Sequence, residues 1–311
     1  MTASRRGATS LSGILVIDKP SGMTSHDVVA LIRRSTGERR VGHAGTLDPA
    51  ATGVLVVLVG PATRLTPFLT GAAKSYVARI AFGTQTDTDD AEGEPVRVAE
   101  MPSAIKDPAY AATVIADLVG VRDQLPPAYS AIKRNGEIAH RAARAGSPLT
   151  LEPRRIEVLD ARFLEIVQDP AVCWDASFTV SKGTYLRSIA RDLGYALGTA
   201  AHLSALRRTA SGHLVLADAR SLDEVVNAGP ACGSLYTDPI TALGVPVRTL
   251  TPREIEKVKV GAAVEIGDVA GAEPDTLIAM ADVERLYALY ALSADDGLLR
   301  ARTVLAGGVT R

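Results

Sequence analysis

The chain has 311 residues, of which 47% are hydrophobic and 22% are charged, and this composition excludes a disordered protein and predicts a substantial core. Its two cysteines, Cys173 and Cys232, lie far apart and form no metal-binding motif, which excludes a disulfide framework and fits a reducing compartment. No apolar run is long enough to span a membrane, and no hydrophobic segment follows the basic pair Arg5-Arg6. We therefore expect a cytoplasmic protein, with a disordered tail over residues 1–10.

The hydrophobic periodicity predicts strands and helices that mix without strict β-α-β alternation. In chain order, the expected elements are a strand over 14–17, a helix over 27–35 capped by Ser25, strands over 54–59 and 76–82, a helix over 103–119, a basic helix over 137–145, paired strands over 156–166 and 173–180, a helix over 184–197, and short strands over 264–269, 277–280 and 287–292. This order favours an α+β fold over a doubly wound sheet, with a β-rich module after a boundary near 238–248.

The most informative segment is GHAGTLDPAATG, residues 42–53, in which a single carboxylate, Asp48, lies among glycines and precedes a proline. Such a composition predicts a shaped loop, and the apolar run over 54–59 behind it predicts a buried strand. A lone acid on a rigid loop suits a nucleophile. From the spacing alone, the favoured interpretation is a turn in which Asp48 only accepts backbone hydrogen bonds.

Charge is distributed unevenly along the chain, although its sum is −1. Residues 1–64 and 130–215 each carry a net charge of +4, whereas 85–124 carry −6 and 218–311 carry −5. Such segregation can create a local basic surface that neutralises phosphates. The same net charges would also result if these side chains lay on ordinary solvent-exposed faces that bind nothing.

A series of motifs covers most of the chain. In order they are GILVIDKPSG at 13–22, the Asp48 loop, KSY at 74–76, GTQTDTD at 83–89, PPAYSAIK at 126–133, SKGTYLRS at 181–188 and LRRTASG at 206–212. Together and in this order they resemble the motifs of the TruB family of tRNA pseudouridine synthases. The resemblance implies the pseudouridine-synthase fold, with a curved, mainly antiparallel sheet. It implies a catalytic domain over 11–240, a thumb-like insertion near 121–155 that closes over the tRNA T-loop, and a small PUA-like RNA-binding domain over 246–311.

The resemblance also implies a reaction, the isomerisation of uridine to pseudouridine in the T-loop of tRNA (position 55), which requires no metal or cofactor. Three residues are implied to be catalytic: Asp48 as the carboxylate that adds to C1′ or starts glycal formation, Tyr76 as the stacking platform and base, and Arg187 as the partner that keeps Asp48 ionised. The implied substrate- and RNA-binding residues are His43, Tyr185, Leu206, Lys19, Arg207 and Arg208. The target base must be flipped out of its stack to be reached.

Other functions are compatible with parts of the sequence. A tRNA-folding chaperone would bind the same RNA with modification secondary, but it has no need of a carboxylate at Asp48. A guide-RNA-dependent relative is disfavoured by the opening motif. The acidic segment over 87–94 lacks the ligand and glycine positions of a calcium loop and predicts a capped turn instead. The expected partner is the T-loop and T-stem of tRNA, with no membrane or required protein partner, bound by a monomer.

Overall fold

A computed structural model describes residues 9–134, 136–168, 171–269 and 273–311. The expected disordered tail over 1–10 therefore lies outside the described residues except at its last two positions. The described residues fold into two compact units, the first formed by the chain up to residue 72 together with 210–311 and the second by 73–209. Among the described residues, no helix is both long and apolar enough to cross a membrane.

The N-terminal part of the first unit is an antiparallel group of strands with two helices. Its elements are strands β1 (Gly13–Lys19), β2 (Val41–His43) and β3 (Thr52–Val59), helices α1 (Ser25–Thr36) and α2 (Thr66–Thr70), and a 3-10 helix (Gly60–Leu65). β3 pairs antiparallel with β1 and with β2. Every side chain over 54–59 is buried, as expected of the continuous apolar run.

The cap of helix α1 lies one residue before the expected one. Thr24 is the N-cap, and its hydroxyl accepts a hydrogen bond from the amide of Asp27, whose carboxylate accepts one from the amide of Thr24 in return. This reciprocal pair is a capping box. The prediction that Ser25 caps the helix is thus wrong, because the Ser25 hydroxyl is buried and bonds elsewhere.

The second unit is a mainly antiparallel sheet with helices and a small insertion. Its elements are strands β4 (Lys74–Phe82), β5 (Thr84–Thr86) and β6 (Pro95–Val98), a 3-10 helix (Ser103–Lys106), helix α3 (Pro108–Ala116), strands β7 (Gly120–Gln124), β8 (Lys133–Arg134) and β9 (Glu137–Ile138), helix α4 (Ala139–Arg144), strands β10 (Arg154–Gln168) and β11 (Val172–Val180), helix α5 (Leu186–Ala196) and strand β12 (Ala201–Ser211). The strand order is β12-β4-β11-β10-β7.

The long hairpin of β10 and β11 confirms the expected strand pair and carries the core of this unit. Trp174 on β11 is fully buried, and its indole donates a hydrogen bond to the carbonyl of Ile105 at 2.8 Å. Its ring meets Phe82 edge-on, with centroids 4.7 Å apart. A buried aromatic with its polar atom satisfied fixes this hairpin against the segment before α3.

The prediction of a single helix over 103–119 is wrong. The structure has a 3-10 helix, then α3, and Gly120 already belongs to β7. The break lies at Asp107, whose carboxylate caps α3 by accepting a hydrogen bond from the amide of Ala109. Asp107 precedes Pro108, and the residue before a proline avoids the helical conformation, so the helix cannot run through this point. The basic helix also starts later than expected, because 137 and 138 pair in β9.

The C-terminal part of the first unit ends in a second sheet. Its elements are strands β13 (Leu214–Val215) and β14 (Arg220–Ser221), helices α6 (Leu222–Ala228) and α7 (Pro239–Leu243), strand β15 (Val247–Thr249), helix α8 (Pro252–Lys259), strands β16 (Leu277–Ala281), β17 (Arg285–Leu292) and β18 (Leu299–Thr310), and 3-10 helices (Leu216–Asp218, Gly229–Leu235 and Gly267–Val269). The sheet order is β15-β16-β17-β18, with β15 parallel and the others antiparallel.

Two expected strands of this module are confirmed and one is wrong. β16 and β17 correspond to the strands expected over 277–280 and 287–292. Over 264–269, by contrast, Val264 makes only an isolated bridge with Leu299, and the chain then turns into a 3-10 helix in which Gly267 has a φ of +61°. Residues 267–269 are helical, so the expected strand does not extend through them. Helix α8 and strand β18 were not anticipated.

The C-terminal sheet shares a hydrophobic core with the N-terminal strands of its unit. Buried residues of both parts form one cluster, which includes Ile14, Val16, Val56, Leu58, Leu286, Leu289, Leu305 and Val309. The two parts also bond directly, since the amide of Thr310 donates to the carbonyl of Ser12. The fold is thus α+β with a mainly antiparallel arrangement and a C-terminal β-rich part; the expected domain boundaries stay predictions.

Candidate active site

The Asp48 loop of the first unit is tied down on both sides of the carboxylate. Before it, the amide of Ala44 donates to Val56 on β3 at 2.9 Å. After it, the carbonyl of Pro49 accepts a bond from the amide of Gly22 at 3.0 Å, and the amide of Ala51 donates to the carbonyl of Asp48 at 3.1 Å. Asp48 itself is half-buried. These bonds fix the backbone on both sides of Asp48 and with it the origin of the Asp48 side chain.

Ser25 ties down the residue directly before Asp48. Its hydroxyl accepts a hydrogen bond from the amide of Leu47 at 2.9 Å and donates one to the carbonyl of the same residue at 3.1 Å. Both Ser25 and Leu47 are buried. The residue directly before Asp48 is therefore fixed by a side chain from helix α1, and this explains why Ser25 is not the helix cap.

Lys19, expected among the RNA-binding residues, lies under the same loop. Its side chain is fully buried, and its ammonium group donates to the carbonyls of Pro20, Met23 and Pro49 at 2.8, 2.7 and 3.1 Å. A buried cation is tolerated only when its hydrogen bonds are satisfied. These contacts favour a role for Lys19 in holding the loop.

His43 ends strand β2, immediately before the loop, and is half-buried. Its ring meets the ring of His26 edge-on, with centroids 5.3 Å apart and an interplanar angle of 88°. His26 lies in the first turn of α1 and is exposed. The rings of His43 and His26 thus lie next to the Asp48 loop in sequence or by contact, at the surface of the first unit. Bases of an RNA could stack on rings in such a position.

In the second unit, Tyr76 lies on strand β4 beside Phe178 of β11 and is 9% exposed. Lys74 lies on the same face of β4, since side chains alternate along a strand. Burial, together with the charges of Arg208 and Lys182, lowers the pKa of Lys74 from 10.5 to about 8. A tyrosine and a cation that readily gives up its charge therefore share one face.

Arg187, the second residue of α5, is buried and joins three chain segments of its unit. It donates to the carbonyl of Thr88 at 3.0 Å and to that of Tyr129 at 3.0 Å, and its guanidinium lies 3.5 Å from the carboxylate of Asp90. The acidic segment over 87–94 and Tyr129, which lies in the insertion expected over 121–155, are thus both fixed to α5 by one side chain. The pairing of Arg187 with Asp48 stays a prediction.

The remaining expected RNA-binding residues lie at the start of α5 and on β12. Tyr185 occupies the N-cap of α5 and is half-buried, as are Leu206 and Arg207. Arg208 is only 1% exposed and lies close enough to Lys74 to lower its pKa. Because a phosphate contact needs an accessible guanidinium, we retain Arg207 rather than Arg208 for that role.

The acidic segment is a capped turn, as its sequence predicted. The Asp87 carboxylate accepts a bond from the amide of Glu94, and the Asp90 carboxylate accepts one from the hydroxyl of Thr88. Asp89 pairs with Arg191 of α5 at 2.9 Å, although burial raises the pKa of this carboxyl despite its partner. The carboxylates are thus used in holding the turn and its neighbours.

Known proteins match this chain over nearly its whole length. The family model described as "TruB family pseudouridylate synthase (N terminal domain)" matches residues 33–186, and the one described as "tRNA pseudouridylate synthase B C-terminal domain" matches 187–231. A tRNA pseudouridine synthase B of Arthrobacter sp. (strain FB24) is 42% identical to this chain. The aligned region covers 97% of this chain and 95% of the Arthrobacter protein. The chain belongs to the TruB family. Another relative of the same name, from Thermobifida fusca (strain YX), is 44% identical over 79% of this chain and 84% of its own.

Solved structures confirm the fold of this TruB-family chain. A Cbf5–Nop10–Gar1 complex contains a chain with a TM-score of 0.70 and 26% identity, covering 94% of this chain and 84% of that one. A chain of an archaeal box H/ACA Nop10–Cbf5 complex has a TM-score of 0.67 at 24% identity and shares the fold. The expected pseudouridine-synthase fold is therefore correct.

Several residues that organise the site were not predicted for that role from the sequence. Ser25, Gln124, Asp90 and Arg191 each hold a segment that carries an expected site residue. Asp90 and Gln124 lie within or beside quoted motifs, which is the one signal that could have drawn attention to them. Their partners are distant in sequence, so pairings of this kind are invisible without the fold.

Proposed function

We propose that the protein isomerises uridine to pseudouridine in tRNA, at the T-loop uridine conventionally numbered 55. The observation that carries the proposal is the anchored Asp48 loop in a chain of the TruB family. In this reaction the N1–C1′ bond breaks, the uracil turns, and a C5–C1′ bond forms. The C5 proton leaves and N1 gains a proton, so atoms and electrons balance without an oxidant or reductant.

Asp48 is the proposed catalytic carboxylate, acting either by addition to C1′ or as the base that starts glycal formation. Either route needs the ionised acid in a site from which water is largely excluded. Arg187 is proposed to favour the charged form of Asp48, since a nearby guanidinium stabilises a carboxylate. Tyr76 is proposed to stack on the flipped base and to remove the C5 proton.

The proposed substrate is the T-loop and T-stem, contacted by His43, Tyr185, Leu206 and Arg207. The T-loop base must leave its stack, and the edge-on pair of His43 and His26 supports a role in receiving bases displaced from the loop. We propose that the protein acts as a monomer without a protein partner. Because tRNA is the substrate, the proposed location of the reaction is the cytoplasm.

The test incubates purified protein with an unmodified tRNA transcript and maps pseudouridine by carbodiimide adducts and primer extension. We expect one new stop at the T-loop uridine with the wild type and none with Asp48→Asn. The affinity of the variant for tRNA should stay within about fivefold, since one uncharged substitution removes little of a phosphate-dominated interface. Turnover by Asp48→Asn would contradict the mechanism. Tight binding with no stop from the wild type would favour the chaperone instead.

A further inference from the structure

Gln124 makes a reciprocal pair of hydrogen bonds from a buried position. Its amide nitrogen donates to the carbonyl of Tyr185 at 3.0 Å, and its amide oxygen accepts from the amide of Tyr185 at 2.9 Å. The residue is 3% exposed. One buried amide thus matches both backbone groups of one residue, an arrangement that requires a donor and an acceptor side by side.

The residue held in this way begins a helix that carries the site. Tyr185 is the N-cap of α5, and its carbonyl also accepts the first helical bond, from the amide of Ile189 at 3.2 Å. Arg187 follows two residues later. Fixing the backbone of Tyr185 therefore sets where its own ring points and where α5 begins, and with it the origin of the Arg187 side chain.

Leu125, the residue after Gln124, makes further hydrogen bonds to α5. The carbonyl of Leu125 accepts bonds from the hydroxyl of Ser188 at 2.9 Å and from the guanidinium of Arg191 at 2.8 Å. Residues 124 and 125 lie where β7 ends and the chain leaves the sheet, within the insertion expected over 121–155. The root of the insertion is thereby bonded to the first turns of α5, from Tyr185 to Arg191.

We propose that Gln124 is a positioning residue for the reaction, acting through Tyr185 and the start of α5. The inference rests on the proposed function, because it assigns Tyr185 and Arg187 to that site. Gln124 itself touches neither substrate nor reacting atoms. Its loss should slow the chemical step while leaving tRNA binding intact, since a misplacement of catalytic groups by about 1 Å can cost about 100-fold in rate.

The first experiment compares wild type with Gln124→Met, which keeps the volume and removes both hydrogen bonds. At saturating tRNA we expect the single-turnover rate to fall about 10- to 100-fold, with the tRNA Kd changed by less than about twofold. Ile115→Val, a buried change in α3, controls for loss of stability alone, and thermal unfolding of all three proteins checks folding. A wild-type rate in folded Gln124→Met, or a change confined to KM, would overturn the inference.

A second variant isolates the donated hydrogen bond. In Gln124→Glu, the carboxyl group can accept from the Tyr185 amide in either state, but it can donate to the Tyr185 carbonyl only when protonated. Burial raises the pKa of such a group. The rate of this variant relative to wild type should therefore rise as pH falls, whereas that of Gln124→Met should not.

The outcomes separate the inference from the function on which it rests. A wild type that forms no pseudouridine overturns both. An active wild type with an unimpaired Gln124→Met, or a Gln124→Glu variant whose relative rate does not depend on pH, overturns only the positioning role.

Discussion

Lys74 shows how a single strand position acquires a chemical property that its residue type does not predict. It shares a face of β4 with Tyr76, and its ammonium group is removed from water beside two further cations. Burial disfavours the charged form, and like charges add to this effect.

This lowered pKa gives a prediction for stability. The unfolded chain keeps the Lys74 proton up to about pH 10.5, whereas the folded protein releases it near pH 8. Because the unfolded state then binds more protons, the free energy of unfolding should rise with pH across this window, by up to about 3 kcal/mol from this group. Lys74→Met should remove that rise.

The measurement is urea unfolding of wild type and Lys74→Met at several pH values between about 7 and about 10.5, where the linkage operates. The difference between the two curves of unfolding free energy against pH removes the contributions of the other titrating groups. Parallel curves would show that Lys74 keeps an ordinary pKa in the folded protein.

Between elements, the insertion over 121–155 and the acidic turn are joined by side chains rather than by strand pairing. The Tyr129 hydroxyl donates to the Asp87 carboxylate at 3.1 Å, and this bond raises the pKa of the Tyr129 phenol. Arg187 bonds to both segments as well. The insertion is thus held at its root, while its helix α4 lies further out along the chain.

We predict that Tyr129→Phe loosens the insertion without unfolding the protein. Losing one hydrogen bond of about 1 kcal/mol should raise the local opening equilibrium about fivefold. Limited proteolysis within residues 131–150 should accelerate by a similar factor. Tyr110→Phe, at an exposed tyrosine of α3, is the matched control, and equal cleavage of both variants would contradict the prediction.

For the first unit as a whole, the decisive feature is the core shared by its two ends. Strands β1 and β3 pack in one cluster with β17 and β18, from opposite ends of the chain. Residues 246–311 also have a core cluster of their own, which includes Val258, Ile278 and Tyr290. The shared cluster adds contacts between the two ends of the chain and predicts that they stabilise each other.

The test is Leu305→Ala, a buried change in β18. We expect it to cost about 2–5 kcal/mol of unfolding free energy, because it removes a core side chain and leaves a cavity. Native-state hydrogen exchange should then lose protection in β1 and β3 as well as in β16–β18. Leu164→Ala, at a half-exposed position of β10, is the control. Protection lost only in β16–β18 would indicate an independent domain.

The sequence by itself determined the family, the α+β class and most strands, because strands such as β1, β3, β4 and β11 carry continuous or alternating apolar patterns. It also identified the Asp48 loop, since glycines and a proline restrict the backbone locally. It was wrong where tertiary contacts or a single residue override periodicity. Asp107-Pro108 divides the helix expected over 103–119, and Gly267 turns the chain where a strand was expected.

Only the tertiary structure decided which side chains hold the site residues in place. Ser25 meets Leu47 across 22 positions and Gln124 meets Tyr185 across 61. A serine or a glutamine makes such bonds only after the chain has folded, and its residue type says nothing about its partner. Local conformation follows from local sequence, whereas the direction of a catalytic group depends on contacts between residues far apart in the chain.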